Sequence, residues 1–132
     1  LKTCGIAPES VSFIAHSTTQ ATNALLEGDV VKVGVLGMSG KGLAWLASPS
    51  TALGRIPLAA GVFMETSHRF IALDESISQS AFEGAIEKHL LAMKDEGCQA
   101  FAISDAYSVD DASREEAAMA VAARLGLLAT SG

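Results

Sequence analysis

An imidazole, a run of hydroxyls and a carboxamide sit together in Ile14-Ala15-His16-Ser17-Thr18-Thr19-Gln20-Ala21-Thr22-Asn23. Imidazole exchanges a proton near neutral pH, and hydroxyl oxygens accept from the unpaired N–H groups of a helix start. The elements that would position them are readable. Val11, Phe13 and Ala15 alternate with Ser12, Ile14 and His16, the weak two-residue period of a largely buried strand. Ala21, Ala24, Leu25 and Leu26 follow with good helix propensity, and Gly28 suits the residue just past a helix end. A strand edge that brings histidine, hydroxyls and free N–H groups to one point is where α/β sheets place ligands. The same residues also suit a local role, with Thr18 and Thr19 capping the helix and Asn23 bonding neighbouring backbone.

A second candidate is Asp105, at the carboxyl end of the strand predicted over Gln99–Ser104. Asp110 and Asp111 are more ordinary capping residues for the helix that follows. Gly37-Met38-Ser39-Gly40-Lys41-Gly42 has the look of a phosphate loop, but Val35 stands where its first glycine belongs. Gly42 replaces the Ser or Thr that would ligate Mg²⁺. The stretch therefore reads as a strand-to-helix turn whose glycines relieve backbone strain. His68 reads as a solvated hairpin residue and His89 as a partly buried surface residue, with no second ligand four positions away. Cys4 and Cys98 form no CxxC pair and read as buried thiols of a reducing compartment. No metal site is predicted.

The residues 16–27, His-Ser-Thr-Thr-x-Ala-Thr-Asn-Ala-Leu-Leu-Glu, resemble the His-Gly-Thr-Thr-x-Ala-Thr-Asn-Ala-Leu-Leu-Glu signature of the hydantoinase/oxoprolinase family, near that family's N-terminus. Ser17 stands where the family has glycine. Further along, Lys41-Gly42 resembles the start of a Lys-Gly-Phe-x-Asp turn, with Leu43 for the aromatic and Trp45 for the aspartate. Tyr107 and Glu115 fit a Ser-Tyr-x-Asn-Pro-x-His-Glu pattern with a loop two residues longer; Arg114 replaces its histidine, and the Asn-Pro pair is missing. The resemblance covers most of the chain, and its first motif is the specific one.

The resemblance implies use of ATP and Mg²⁺ to open five-membered cyclic amides such as hydantoins and 5-oxoproline. The chemistry is phosphorylation of a carbonyl oxygen, mostly a matter of positioning and charge neutralisation. On this reading His16 is acid/base or donor, and Thr18 and Thr19 bind a phosphoryl or carbonyl oxygen. Ser17, Asn23 and Asp105 would bind substrate or phosphate. The family's glycine-rich phosphate hairpin is not in this sequence. ATP and Mg²⁺ are therefore expected in a full-length protein and not tightly bound to this chain, a fragment inactive alone. A second hydantoinase-type subunit or a C-terminal domain is the expected partner. The alternatives are a docking module of a divergent paralogue, a subunit of an ATP-dependent ketone carboxylase, and an actin-like reactivating ATPase.

Composition agrees with a folded, non-basic protein. The 132 residues are 49% hydrophobic and 18% charged, with a formal net charge of −6. That balance excludes disorder and argues against nucleic acid as a partner. No apolar run approaches the roughly 20 residues of a membrane span, and with no leader visible a cytoplasmic location is expected.

Strands are predicted over Val30–Met38, Gln99–Ser104 and Leu127–Thr130, and helices over Ser78–Glu96 and Ala117–Leu125. A helical turn is expected over Leu43–Leu46 and a surface loop over Ser48–Pro57. The apolar runs Leu58–Met64 and His68–Leu73 predict a hairpin turning at Glu65-Thr66-Ser67. In the long helix, Ser80 and Glu83 suggest a capping box, and Lys94, Asp95 and Glu96 a solvated end. The whole chain, 1–132, is predicted to be a single α/β domain: a mainly parallel sheet with packed helices and an antiparallel hairpin edge. By resemblance it would belong to an actin-like ATPase-type protein.

Overall fold

Val33–Gly40 forms β1, and the rest of the sheet is built around it. The computed structural model describes residues 30–59, 61–74, 76–106 and 111–132. β1 begins later than predicted and runs on to Gly40, with its six inner residues buried. It pairs in parallel on both sides: with β4 (Thr66–Leu73) on one, and with β5 (Ala100–Asp105) on the other. β5 in turn pairs in parallel with β6 (Leu128–Ser131), giving the order β4-β1-β5-β6. A strand flanked on both edges and both faces needs a nearly continuous apolar run, which Val35-Leu36-Gly37-Met38 supplies.

Two glycines of β1 set how closely its neighbours approach. A Cβ on Gly34 would lie 2.8 Å from Phe101 and 3.1 Å from the Met93 sulfur; one on Gly37 would lie 2.5 Å from Thr51 Oγ1 and 2.7 Å from Phe70. Residues three apart on a strand face opposite ways, so these are contacts on the two faces of the sheet. Neither glycine has positive φ, nor do Gly40 and Gly42. The expectation that glycines in this turn relieve backbone strain is thus corrected: Gly37 makes room for side chains, and Gly40 is extended at φ −59°, ψ 149°.

One face carries α2 (Gln79–Asp95) and α3 (Ser113–Arg124). Phe82, Ile86, Leu90 and Met93 form the buried stripe of α2 at the predicted spacing. They pack with Leu36, Met38, Ile71, Phe101 and Ile103 from the strands and Ala118, Val121 and Ala122 from α3. The cap of α2 is Ser78, whose side chain accepts from Ala81 N at 3.3 Å. It replaces the predicted Ser80–Glu83 box, and Glu83 is held by Gln79 instead. Gly97 and Gly126 end α2 and α3 with φ of +91° and +67°, as their positions imply.

The opposite face carries α1 (Ala44–Thr51), entered through a 3₁₀ turn at Lys41–Leu43. The helix runs through Pro49, past the predicted end at Leu46 and into the predicted loop. The lost donor would have served Trp45, which is 77% exposed. Hydroxyls of Ser50 and Thr51 bond back to Ala47 O and Ser48 O. The hairpin lies elsewhere than predicted. β2 (Ile56–Ala59) and β3 (Val62–Met64) pair antiparallel as a sheet of their own, not as an edge of the main one. Glu65-Thr66-Ser67 is no turn but the entry to parallel β4. No helix among the described residues is long and apolar enough to cross a membrane.

Candidate functional site

The strand order creates a crevice. After β1 the chain departs to β4 on one side; after β5 it departs to β6 on the other. Connections that diverge from adjacent parallel strands leave a gap outside their carboxyl ends, where open α/β sheets bind ligands. Met38 and Asp105 are register partners at this edge, and Ala106 N–H donates to Met38 O at 2.9 Å.

Asp105 arrives there because β5 alternates: Phe101, Ile103 and Asp105 are its buried residues, so the carboxylate lies on the face covered by α3. Its side chain is only 4% exposed. The first turn of α3 provides its surroundings. Asp111, just ahead of α3, accepts from Ser113 N at 2.9 Å through Oδ1. Glu115, also buried, accepts the Asp105 backbone N–H at 2.8 Å. Arg114 Nη1 lies 3.5 Å from Asp105 Oδ2. Oδ1 is buried with no hydrogen-bond partner among the described residues. Burial pushes the Asp105 pKa above the ordinary carboxylate range; Arg114 opposes the shift, and Glu115 and Asp111 add to it. Desolvation wins because the guanidinium is too far for a close charge-assisted bond.

Arg114 also lines a cleft of about 280 Å³ with Leu73, Asp74, Phe82, Ser113 and Ala117. Asp74, just past β4, is held by Lys41 Nζ at 2.8 Å and by Ser76. Those bonds, the Lys41 one foremost, draw its pKa down to about 2. The edge therefore offers an ionised carboxylate already paired, a guanidinium with donors to spare, and a buried carboxyl that holds its proton more tightly than usual.

Of the residues singled out from sequence, His16, Ser17, Thr18, Thr19 and Asn23 lie outside the described residues, as do Tyr107, Asp110 and Cys4. Asp105 stands at a strand's carboxyl end as expected. His68 is not a solvated hairpin residue. It sits in β4, half-buried, with Nε2 2.8 Å from Thr51 Oγ1, and burial and then Arg69 lower its pKa. His89 is partly buried as expected, its pKa lowered first by burial and then by Lys88 and Arg69. Glu96 is more than a solvated helix end, since Ser67 and Arg69 both bond its carboxylate at the amino end of the sheet. Cys98 is a buried thiol whose pKa burial raises. The Glu115 contact and the cleft position of Arg114 were missed. No sequence signal marks them, because both depend on how α3 docks against β5.

The described residues do not fit a Mg²⁺–nucleotide site. Among them no cluster of three His, Cys, Asp or Glu side chains could hold a metal ion. Lys41 is committed to Asp74, and Gly42 brings no hydroxyl.

Comparison with known proteins bears on the same segments. A family model described as hydantoinase/oxoprolinase N-terminal region matches residues 1–126. No curated protein and no solved structure matches the chain. The family match takes in both the His16–Glu27 stretch and the crevice around Asp105, and the chain belongs to the hydantoinase/oxoprolinase N-terminal region family.

Proposed function

We propose that the chain is part of an ATP-dependent hydrolase of the actin-like ATPase type that opens five-membered cyclic amides, of the hydantoin or 5-oxoproline kind, after phosphorylation of a ring carbonyl. The observation that carries this reading is the family match across residues 1–126. The cleft at the sheet's carboxyl edge supports it, since Arg114 beside apolar Leu73, Phe82 and Ala117 gives a small polar ring both a donor and a wall. Asp105 is assigned to substrate or phosphate binding. His16 is the acid/base, Thr18 and Thr19 hold the reacting oxygen, and Ser17 and Asn23 bind substrate or phosphate. ATP and Mg²⁺ are held outside the described residues, so no phosphoryl-transfer step is assigned to the side chains described above. The partner is a second hydantoinase-type subunit or a C-terminal domain, and the setting is the cytoplasm.

The test is ring opening by the protein of the complete reading frame, followed together with phosphate release. The reading expects cyclic amide and ATP to be consumed one for one, with neither consumed alone. Ring opening without ATP, or no reaction with any five-membered cyclic amide, contradicts it.

A further inference from the structure

We propose that Arg114 reads a carboxylate carried on the substrate ring, so that the cleft at the carboxyl edge selects an anionic cyclic amide over an uncharged one. The inference rests on the cyclic-amide reading and narrows it: 5-oxoproline carries such a carboxylate, and the hydantoin ring itself carries none.

Arg114 presents charge to the cleft. Its side chain is 41% exposed and lines the hollow, and its one ion pair among the described residues is the loose contact to Asp105 at 3.5 Å. A closed charge-assisted bond would be roughly 2.7–2.9 Å, so most of the five guanidinium donors remain for a ligand. Asp105 is buried and does not line the cleft, and burial disfavours its charged form. It therefore offsets less of the guanidinium charge than an exposed partner would. The other anion at the cleft, Asp74, is already matched by Lys41 Nζ at 2.8 Å. The lining thus carries an excess of positive charge. Gln79 and Ser113, the first residues of α2 and α3, line the same hollow, so the partial positive ends of both helices add to that excess.

A single guanidinium suits a single carboxylate. The planar fork takes both carboxylate oxygens through two parallel N–H bonds, and Leu73, Ile77 and Phe82 give the ring's carbon side an apolar wall. At about 280 Å³ the hollow is the size for a small ligand. A triphosphate would bring several charges and a divalent cation, and no cluster of three His, Cys, Asp or Glu among the described residues could hold that cation.

The experiment uses the complete protein and measures binding and turnover of two probes: 5-oxoproline, and its carboxamide, which keeps the ring and loses the charge. Wild type is expected to prefer 5-oxoproline roughly 10- to 100-fold in dissociation constant and in KM. In Arg114→Gln that preference is expected to shrink to within about threefold, and in Arg114→Lys, which keeps the charge without the fork, to survive in part. A preference unchanged in Arg114→Gln, or equal binding of the two probes by wild type, overturns the carboxylate assignment and leaves the hydrolase reading standing if the ring still opens. So does an Arg114→Gln variant that loses affinity for ATP and none for 5-oxoproline, since the guanidinium would then serve a phosphate. Selective binding of 5-oxoproline that Arg114→Gln removes, in a protein that never opens the ring, overturns the hydrolase reading and leaves the assignment standing. No binding of either probe overturns both.

Discussion

Glu115 Oε1 accepts the backbone N–H of Asp105 at 2.8 Å, with both residues buried. This single bond ties the end of β5 to the first turn of α3, and so fixes the aspartate relative to Arg114 next to it. A buried carboxylate is tolerated there because it accepts a backbone donor and lies at a helix N-terminus, where the dipole favours negative charge.

Removing that acceptor leaves a buried N–H without its partner. Glu115→Ala is therefore expected to destabilise the fold by about 1–3 kcal/mol in urea unfolding. Glu115→Gln, which keeps an acceptor oxygen, should lose less than half as much. Equal losses would show that the charge matters and the hydrogen bond does not.

Asp105 gives a pH signature with a definite sign. Its folded-state pKa is raised, chiefly by burial, so the folded protein binds this proton more tightly than the unfolded chain. The stabilisation is fully present below the unfolded value of about 3.9 and is lost as pH rises through the raised folded value. Asp105→Asn removes this dependence. The stability of wild type minus that of Asp105→Asn should fall as pH rises from about 4 and then level off. Unfolding curves at several pH values check this, and a difference that rises with pH would mean the carboxylate is stabilised as an anion.

Gly37 in β1 and Gly42 in the 3₁₀ turn separate a crowded position from an open one. Gly37→Ala would drive a methyl group against Thr51 and Phe70, and overpacking of this kind costs about 1–3 kcal/mol. Gly42→Ala meets nothing within 4 Å, and its effect should stay within about 0.5 kcal/mol. Thermal midpoints of the two variants check the contrast.

His68 shows how far the sequence could be read. An apolar run broken by Glu65-Thr66-Ser67 looks like a hairpin, because local pattern cannot tell an antiparallel arm from a parallel strand. The true turn hides beside Gly61, whose φ is +79°, inside the run Leu58–Met64 that reads as one strand. Pro49 misled in the same way, its local preference overridden within α1. By contrast the stripe on α2 was legible, since the three- and four-residue spacing of Phe82, Ile86, Leu90 and Met93 depends on one helix alone. Asp105 was legible as a strand-end carboxylate. Its bond to Glu115 was not, since contacts ten residues apart depend on how α3 docks.

Thr51 and His68 supply one more check. The His68 ring is held by Thr51 Oγ1 and has a lowered pKa, so its neutral form is favoured in the fold. That contribution is present above about pH 6.5 and lost as pH falls through the lowered value. Replacing His68 with Gln should make stability less sensitive to pH between about 7 and 5. An unaltered pH dependence would place the titrating group elsewhere.

The most direct measurement compares the two ends of the sheet in the complete protein. Arg114→Gln alters the carboxyl-edge cleft, and Glu96→Gln alters the Ser67–Arg69–Glu96 cluster at the amino end. With ring opening of a cyclic amide as the readout, Arg114→Gln should lower kcat/KM at least about tenfold, while Glu96→Gln leaves it within about twofold. Equal losses, or a loss confined to Glu96→Gln, would contradict a site at the carboxyl ends of β1 and β5.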